Sequence, residues 1–573
     1  MRTLFKGGEV VNVFTDSLAR ANVVVEDGII IGVGDYYDAK DDNCDLKDDN
    51  YDEVVDCSGM IICPGFIDSH IHIESTMLAP HELAKAILPC GTTAIVADPH
   101  EIANVCGIAG IEYMLEATEN LPLSVYVMAS SCVPAVPLDE SAGVLDAKAL
   151  KPLYDHERVL GLAEMMNYPG VIAGDSDVKN KIEDAKALGG RVNGHAPLLS
   201  GEMLDKYISA GIEDDHECSA ANEAIEKMSK GMHILIREGT AAKNLKMLSP
   251  LFEYPYSARC LLCTDDKSAA DIINEGHIDS IVKKAAALGR SPFAAIRMAT
   301  IQAAEYYGLK NLGAIAPGYK ADMIIASDIE SLEIKKVYKN GKKVCEDGAA
   351  LPFDRPEISD EILKRVKGSV NVKGCAKELF DLGLTGKHTC RVIKVIPGSI
   401  ITDEVQLDID FANGTGIDTN RDILKVAVLE RHNGTGHAGA GFINGIGLKK
   451  GALAATVSHD SHNIIVIGAD EDDMALCVNE IIKMQGGMAA AADGVILSAL
   501  PLEIGGLMST GSAKAVAKEN DDLIKAAAEL GCNEGIAPFM NMAFLSLSVI
   551  PHLKITSRGL LDADTQEIKN ILF

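Results

Sequence analysis

Between residues 65 and 265 short apolar runs alternate with stretches of helical periodicity. Strands separated by helices run parallel, and a parallel sheet needs helices to cover its faces. Runs at 65–72, 92–98, 124–130, 159–164, 191–195, 211–216, 232–237 and 259–265 read as eight strands, with helices expected at 82–88, 105–117, 179–188, 201–209 and 220–229. Eight such repeats in about 250 residues match a (β/α)8 barrel, in which reactive side chains gather at the C-terminal strand ends.

The flanks read differently. Before residue 60, β-branched runs turn at Asp27-Gly28, a hairpin pattern, and strands resume at 322–326 and 334–341. The economical account joins both ends into one composite β-sandwich, 1–60 with 311–350, flanking a barrel of 61–310. The acidic stretch 35–53 reads as a surface loop and 352–374 as a linker. Residues 377–573 read as an additional α+β domain, with strands at 427–430 and 463–468 and a helix at 474–484. The expected class is therefore α/β.

Composition removes several functions. Lys and Arg number 53 against 83 Asp and Glu, a net charge of −30, which repels nucleic acid and anionic membrane surfaces. No apolar window is long enough to span a bilayer, and Met1 to Lys6 lacks an apolar signal core, so a cytoplasmic protein is expected. The 14 cysteines are mostly single and many sit in apolar segments, as reduced thiols do.

The strand ends carry the chemistry. His70 and His72 are two apart, so on an extended strand both imidazoles share one face. The fourth run ends in Glu164, the fifth in His195, the sixth in His216 and the eighth in Asp265. Each alone has an ordinary explanation, such as a packed pair, a loop hydrogen bond or a helix cap. Six in register do not. Imidazole and carboxylate donors without thiolate suit Zn, Mn or Fe. The spacing His72-x-Glu74 with Cys260-x-x-Cys263 superficially matches a cytidine-type zinc site, but Arg259 stands where that pattern needs Pro.

Pro64-Gly-Phe-Ile-Asp-Ser-His-Ile-His72 resembles the amidohydrolase superfamily. The segments at 70–76, 97–101, 193–197 and 458–463 together are similar to its bacterial and archaeal adenine deaminase branch, over nearly the whole chain. The resemblance implies a metal-dependent (β/α)8 barrel holding two divalent ions, Mn or Fe with Zn as a third option. His70 and His72 would hold one ion, His195 and His216 the other. Glu164 would bridge them, and Asp265 would ligate and act as base. Many relatives bridge with a carboxylated Lys; none ends the fourth strand here. The implied reaction is hydrolysis of adenine to hypoxanthine and ammonia by a metal-activated hydroxide, as in purine salvage, by a homo-oligomer. Hydrolysis of a cyclic or N-acyl amide on the same scaffold is the alternative.

Deamination also needs a donor to a ring nitrogen as C6 becomes tetrahedral, and Glu74 or Glu101 could serve. Asp98 and His100 are either partners that orient a ligand imidazole or groups that fix a loop. His459 and His462 either line the substrate pocket or are ordinary loop histidines.

Overall fold

The computed structural model describes residues 1–37, 51–240 and 242–573. Most of the acidic stretch read as a surface loop lies outside the described residues. The eight expected strands form as β1 (Phe66–Ile71), β2 (Thr92–Ala97), β3 (Ser124–Ala129), β4 (Val159–Met165), β5 (Arg191–Gly194), β6 (Asp214–Asp215), β7 (His233–Arg237) and β8 (Cys260–Cys263). Strands β1 to β5 make one parallel arc in sequence order and β6 to β8 a second.

The arcs meet at two seams. At the first, the Glu213 amide donates to the Val192 carbonyl; at the second, Asp265 N donates to His70 O and His72 N to Asp265 O. Regular pairing stops at both because a buried carboxylate takes the place of strand backbone. Asp214 accepts from Gly194 N (2.7 Å) and Asn193 Nδ2 (2.5 Å). Asp68 accepts from Thr264 N (3.1 Å) and Thr264 Oγ1 (2.5 Å). Gly194 is required there: a Cβ would lie 2.0 Å from the Asp214 carbonyl oxygen. This insertion explains why β6 keeps only two residues of the six expected.

Strands from both ends of this segment join one nine-stranded sheet. Ile61–Pro64 pairs with Met323–Ala326 on one side and with Arg2–Asn12 on the other. The helix expected at 105–117 is instead two, His100–Cys106 and Ile108–Glu116, broken at Gly107, whose φ of 62° disfavours a side chain. The linker expected at 352–374 contains a helix, Asp360–Lys367, which buries Ile362 and Val366 beside Tyr113 and Met114.

The C-terminal unit is built on an eight-stranded sheet whose centre pairs Leu424–Leu429 with Ile464–Gly468. Alternation along a strand sends its residues to two faces. Ala427, Leu429, Ile464 and Val466 pack with the helix Glu471–Met484. Val426, Val428, Ile465 and Ile467 share a core with Ile71, Leu83, Ile95 and Ile102 of the first two βα units. The sheet's second face is therefore completed by the parallel strands and their helices. Among the described residues no helix is long and apolar enough to cross a membrane.

Candidate metal centre

The six strand-end residues converge. His70 Nε2 lies 3.2 Å from His72 Nε2, and Asp265 Oδ1 lies 3.5 and 3.1 Å from the same two nitrogens. Glu164 turns Oε1 towards His72 Nε2 (3.4 Å) and Oε2 towards His195 Nδ1 (2.6 Å) and His216 Nε2 (3.1 Å). The His70 and His216 rings stack with centroids 4.3 Å apart, crossing the seam between the arcs. All six sit just past or within the last residues of their strands, where successive side chains leave the packed layers below.

The arrangement fits divalent cations. His72 Nδ1 donates to the Asp98 carbonyl oxygen (3.1 Å), which turns its Nε2 towards the second imidazole and two carboxylates. Two ionised carboxylates, Glu164 and Asp265, in one buried space repel unless positive charge lies among them. The donors group into sets with ligand atoms within 4.8 Å of one another, among them His70, His72 and Asp265, and His70, Glu164 and His216. Nitrogen and carboxylate oxygen without thiolate is the donor choice of Zn, Mn and Fe.

Electrostatics agree with ligation by ionised carboxylates. Burial pushes the Glu164 carboxyl up, but the neighbouring His195 and His216 outweigh it and hold it well below the usual range. Burial opposes ionisation of Asp265 likewise, and the Arg237 guanidinium followed by His70 and His72 overcomes it. His72 and His216 are penalised by burial yet lifted well above ordinary imidazole, by Asp265 for the first and Glu164 for the second.

Glu74 and Glu101 are both buried but differ in their partners. Glu74 Oε1 accepts from Ile102 N (3.0 Å) while Oε2 has no hydrogen-bond partner among the described residues, and burial pushes the carboxyl up to about 7. Both oxygens of Glu101 are occupied, Oε1 by His459 Nδ1 (2.5 Å) and Oε2 by His462 Nε2. His100 Nδ1 faces Asp98 Oδ2 (3.2 Å) and Glu164 Oε1 (3.5 Å), and its ring lies edge-on to His72 with centroids 4.8 Å apart. Asp98 and His100 thus converge with His72 and Glu164 into a further set whose ligand-type atoms lie within 4.8 Å of one another.

Two groups at the site were not read from the sequence. Arg237, at the end of β7, donates to Asp265 Oδ2 (2.7 Å) and pairs with both oxygens of Glu217. Glu217 Oε1 lies 3.4 Å from His216 Nε2 and 3.6 Å from His195 Nδ1. The signal for Arg237 was present: a single charge closing the apolar run Met232-His-Ile-Leu-Ile-Arg237, in register with the other strand-end residues.

Comparison with known proteins identifies the family. Residues 61–344 match the amidohydrolase family and 399–567 the adenine deaminase C-terminal domain. Adenine deaminase from Desulfatibacillum aliphaticivorans is 43% identical, covering 98% of this chain and 95% of that one. Adenine deaminase from Clostridium acetobutylicum is 44% identical, again over 98% of this chain and 95% of the relative. Adenine deaminase 2 from Carboxydothermus hydrogenoformans is 43% identical with the same coverage. With candidate metal-binding residues at the strand ends, an amidohydrolase segment around them and likeness along nearly its whole length, the chain belongs to the adenine deaminase family.

Proposed function

We infer that the protein hydrolyses adenine to hypoxanthine and ammonia, a purine-salvage reaction. The observation that carries the reading is Glu164, with one oxygen towards His72 and the other towards His195 and His216. A carboxylate so placed suits a bridge between two cations, His70 and His72 holding one, His195 and His216 the other, and Asp265 ligating beside the first. Mn or Fe is the choice the family resemblance favours, with Zn compatible with the same donors. When bound, such ions lower the pKa of a water and so supply a nucleophile at neutral pH.

The chain's own groups do the rest. Asp265, fixed by Arg237 through Oδ2, takes the proton of the attacking water and returns it to the departing amino group, so that ammonia leaves and the C6 oxygen stays. Glu74 is the donor to the ring nitrogen next to C6, because its Oε2 has no partner whereas both Glu101 oxygens are engaged. The reading includes closure of the two arcs as a (β/α)8 barrel of 61–310, a composite sandwich of 1–60 with 311–350, and a C-terminal domain of 377–573. It also includes a cytoplasmic homo-oligomer that binds no nucleic acid. The test is hypoxanthine formation from adenine by Mn-loaded protein, alongside ammonia release. No hypoxanthine from a metal-replete sample overturns the reading.

A further inference from the structure

The C-terminal unit reaches the strand ends through one turn, residues 458–463. His459 Nδ1 and His462 Nε2 take the two oxygens of Glu101. The turn is held from several sides: Ser458 N donates to His462 Nδ1 (3.1 Å), Arg431 N to Asn463 Oδ1 (3.1 Å), Arg431 Nε to His462 O, and Asn463 Nδ2 to Glu140 O (2.8 Å). The His459 ring stacks on Phe544, with centroids 4.9 Å apart and planes 20° from parallel.

An imidazole clamped on its face and held at Nδ1 by a carboxylate has one polar atom left, Nε2. It makes no hydrogen bond among the described residues. His462 and Glu101 are sealed, at 1% and 3% side-chain exposure, but His459 keeps 12%. Comparable exposure is found at other strand ends, 25% at His195, 13% at Glu217 and 14% at Arg237. Glu101 stands in the first turn of the helix after β2; its Oε1, which holds His459, lies 3.6 Å from His100 Nε2, and His100 Nδ1 lies 3.5 Å from Glu164 Oε1, so the His459 ring is linked through two side chains to the ligand candidates. The end of β1 carries His70, His72 and Glu74. Burial disfavours the imidazolium, but Glu101 and then Asp266 and Asp460 outweigh it and push its pKa up to about 9.

As C6 becomes tetrahedral, electron density moves onto the ring nitrogens, and a preorganised cationic N–H aimed at one stabilises that change. We propose that His459 is a catalytic residue supplied by the C-terminal unit, its Nε2–H donating a hydrogen bond to a purine ring nitrogen while Glu101 positions it. No proton is transferred. The assignment rests on the adenine deamination reading above.

The test compares wild type with His459→Asn, whose amide still reaches Glu101 but leaves the Nε2 position empty, and His459→Gln, whose amide reaches the Nε2 position. The readouts are kcat/KM for adenine and the inhibition constants of 1-, 3- and 7-deazaadenine, with metal content and circular dichroism as controls. His459→Asn should lower kcat/KM about 10- to 100-fold and weaken two of the deaza inhibitors about 10-fold, leaving unchanged the one that lacks the contacted nitrogen. His459→Gln should recover part of both losses at equal metal content. Equal weakening of all three inhibitors, or no loss on adenine, overturns the role of His459. A wild type inactive on adenine overturns the parent reading instead.

Discussion

Lys227 should be a stability-determining residue for the ligand strands. Its ammonium is buried and donates to Ala196 O (2.6 Å), Asp215 Oδ2 (2.9 Å) and Glu223 Oε1 (2.8 Å). Ala196 follows His195 and Asp215 precedes His216, so one side chain ties together the ends of β5 and β6. Replacing it in Lys227→Met leaves the Asp215 carboxylate buried without its counter-charge, a change that costs roughly 3–5 kcal/mol. Asp215 keeps two donors, Ala196 N at 2.8 Å and Cys218 Sγ at 3.1 Å, which places the loss in the lower half, about 3 to 4 kcal/mol. Neutralising the partner as well, in Lys227→Met with Asp215→Asn, should return about 2 kcal/mol relative to the sum of the single changes. Urea unfolding followed by far-ultraviolet circular dichroism suits a chain with no Trp. Because His195 and His216 lose a shared support, Lys227→Met should also retain less metal after dialysis. A loss below about 1 kcal/mol, or strict additivity in the double variant, would refute the reasoning.

Glu164→Gln and Asp265→Asn should each lower kcat on adenine by at least about 100-fold, and Glu164→Gln should also reduce bound metal; wild-type turnover in both would remove the assigned roles. Dialysis against a chelator should abolish activity, and added Mn(II) should restore it, both read as hypoxanthine formed. Burial lowers Lys554 from 10.5 to about 8. Between those values the unfolded chain binds more protons than the folded one, so stability should rise with pH by up to about 1.4 kcal/mol per unit. Lys554→Met should remove that slope in urea titrations run across the same window. Arg431 is fully buried and donates to backbone carbonyls of Ser369, His462 and Gly505. Arg431→Met should cost about 3 kcal/mol and slow turnover by loosening the turn at 458–463, measured by unfolding and by kcat.

The six ligand candidates were legible because strand ends are where apolar runs stop, and His, Glu or Asp at such a stop stands out against the residues before it. The spacing of His70 and His72 put both imidazoles on one face, since period two is a property of extended backbone, but only the other strand ends gave that pair its meaning. The break at Gly107 was not, because Val105 to Ala117 keeps helical periodicity across it and only the backbone angles show the interruption. Nor was the shortness of β6. The run 211–216 reads as a strand, yet the Asp214 side chain takes the amide of Gly194 that a longer ladder would use. Arg237 left a local mark as the charge that closes an apolar run, but its pairing with Glu217, twenty positions away, is one that no local pattern records. The contact of His459 and His462 with Glu101 spans more than 350 residues, so the sequence could place these histidines in a loop but not say what they touch.

The two seams carry a mechanical implication. His70, His72, Glu164 and His195 belong to the five-stranded arc, whereas His216 and Asp265 belong to the three-stranded one. Any ion gripped from both sides therefore acts as a rivet across joints that backbone pairing leaves open at Asp68 and Asp214. Stripping it should loosen the staves themselves, and amide exchange around Gly194 and Thr264 should quicken before the rest of the molecule responds.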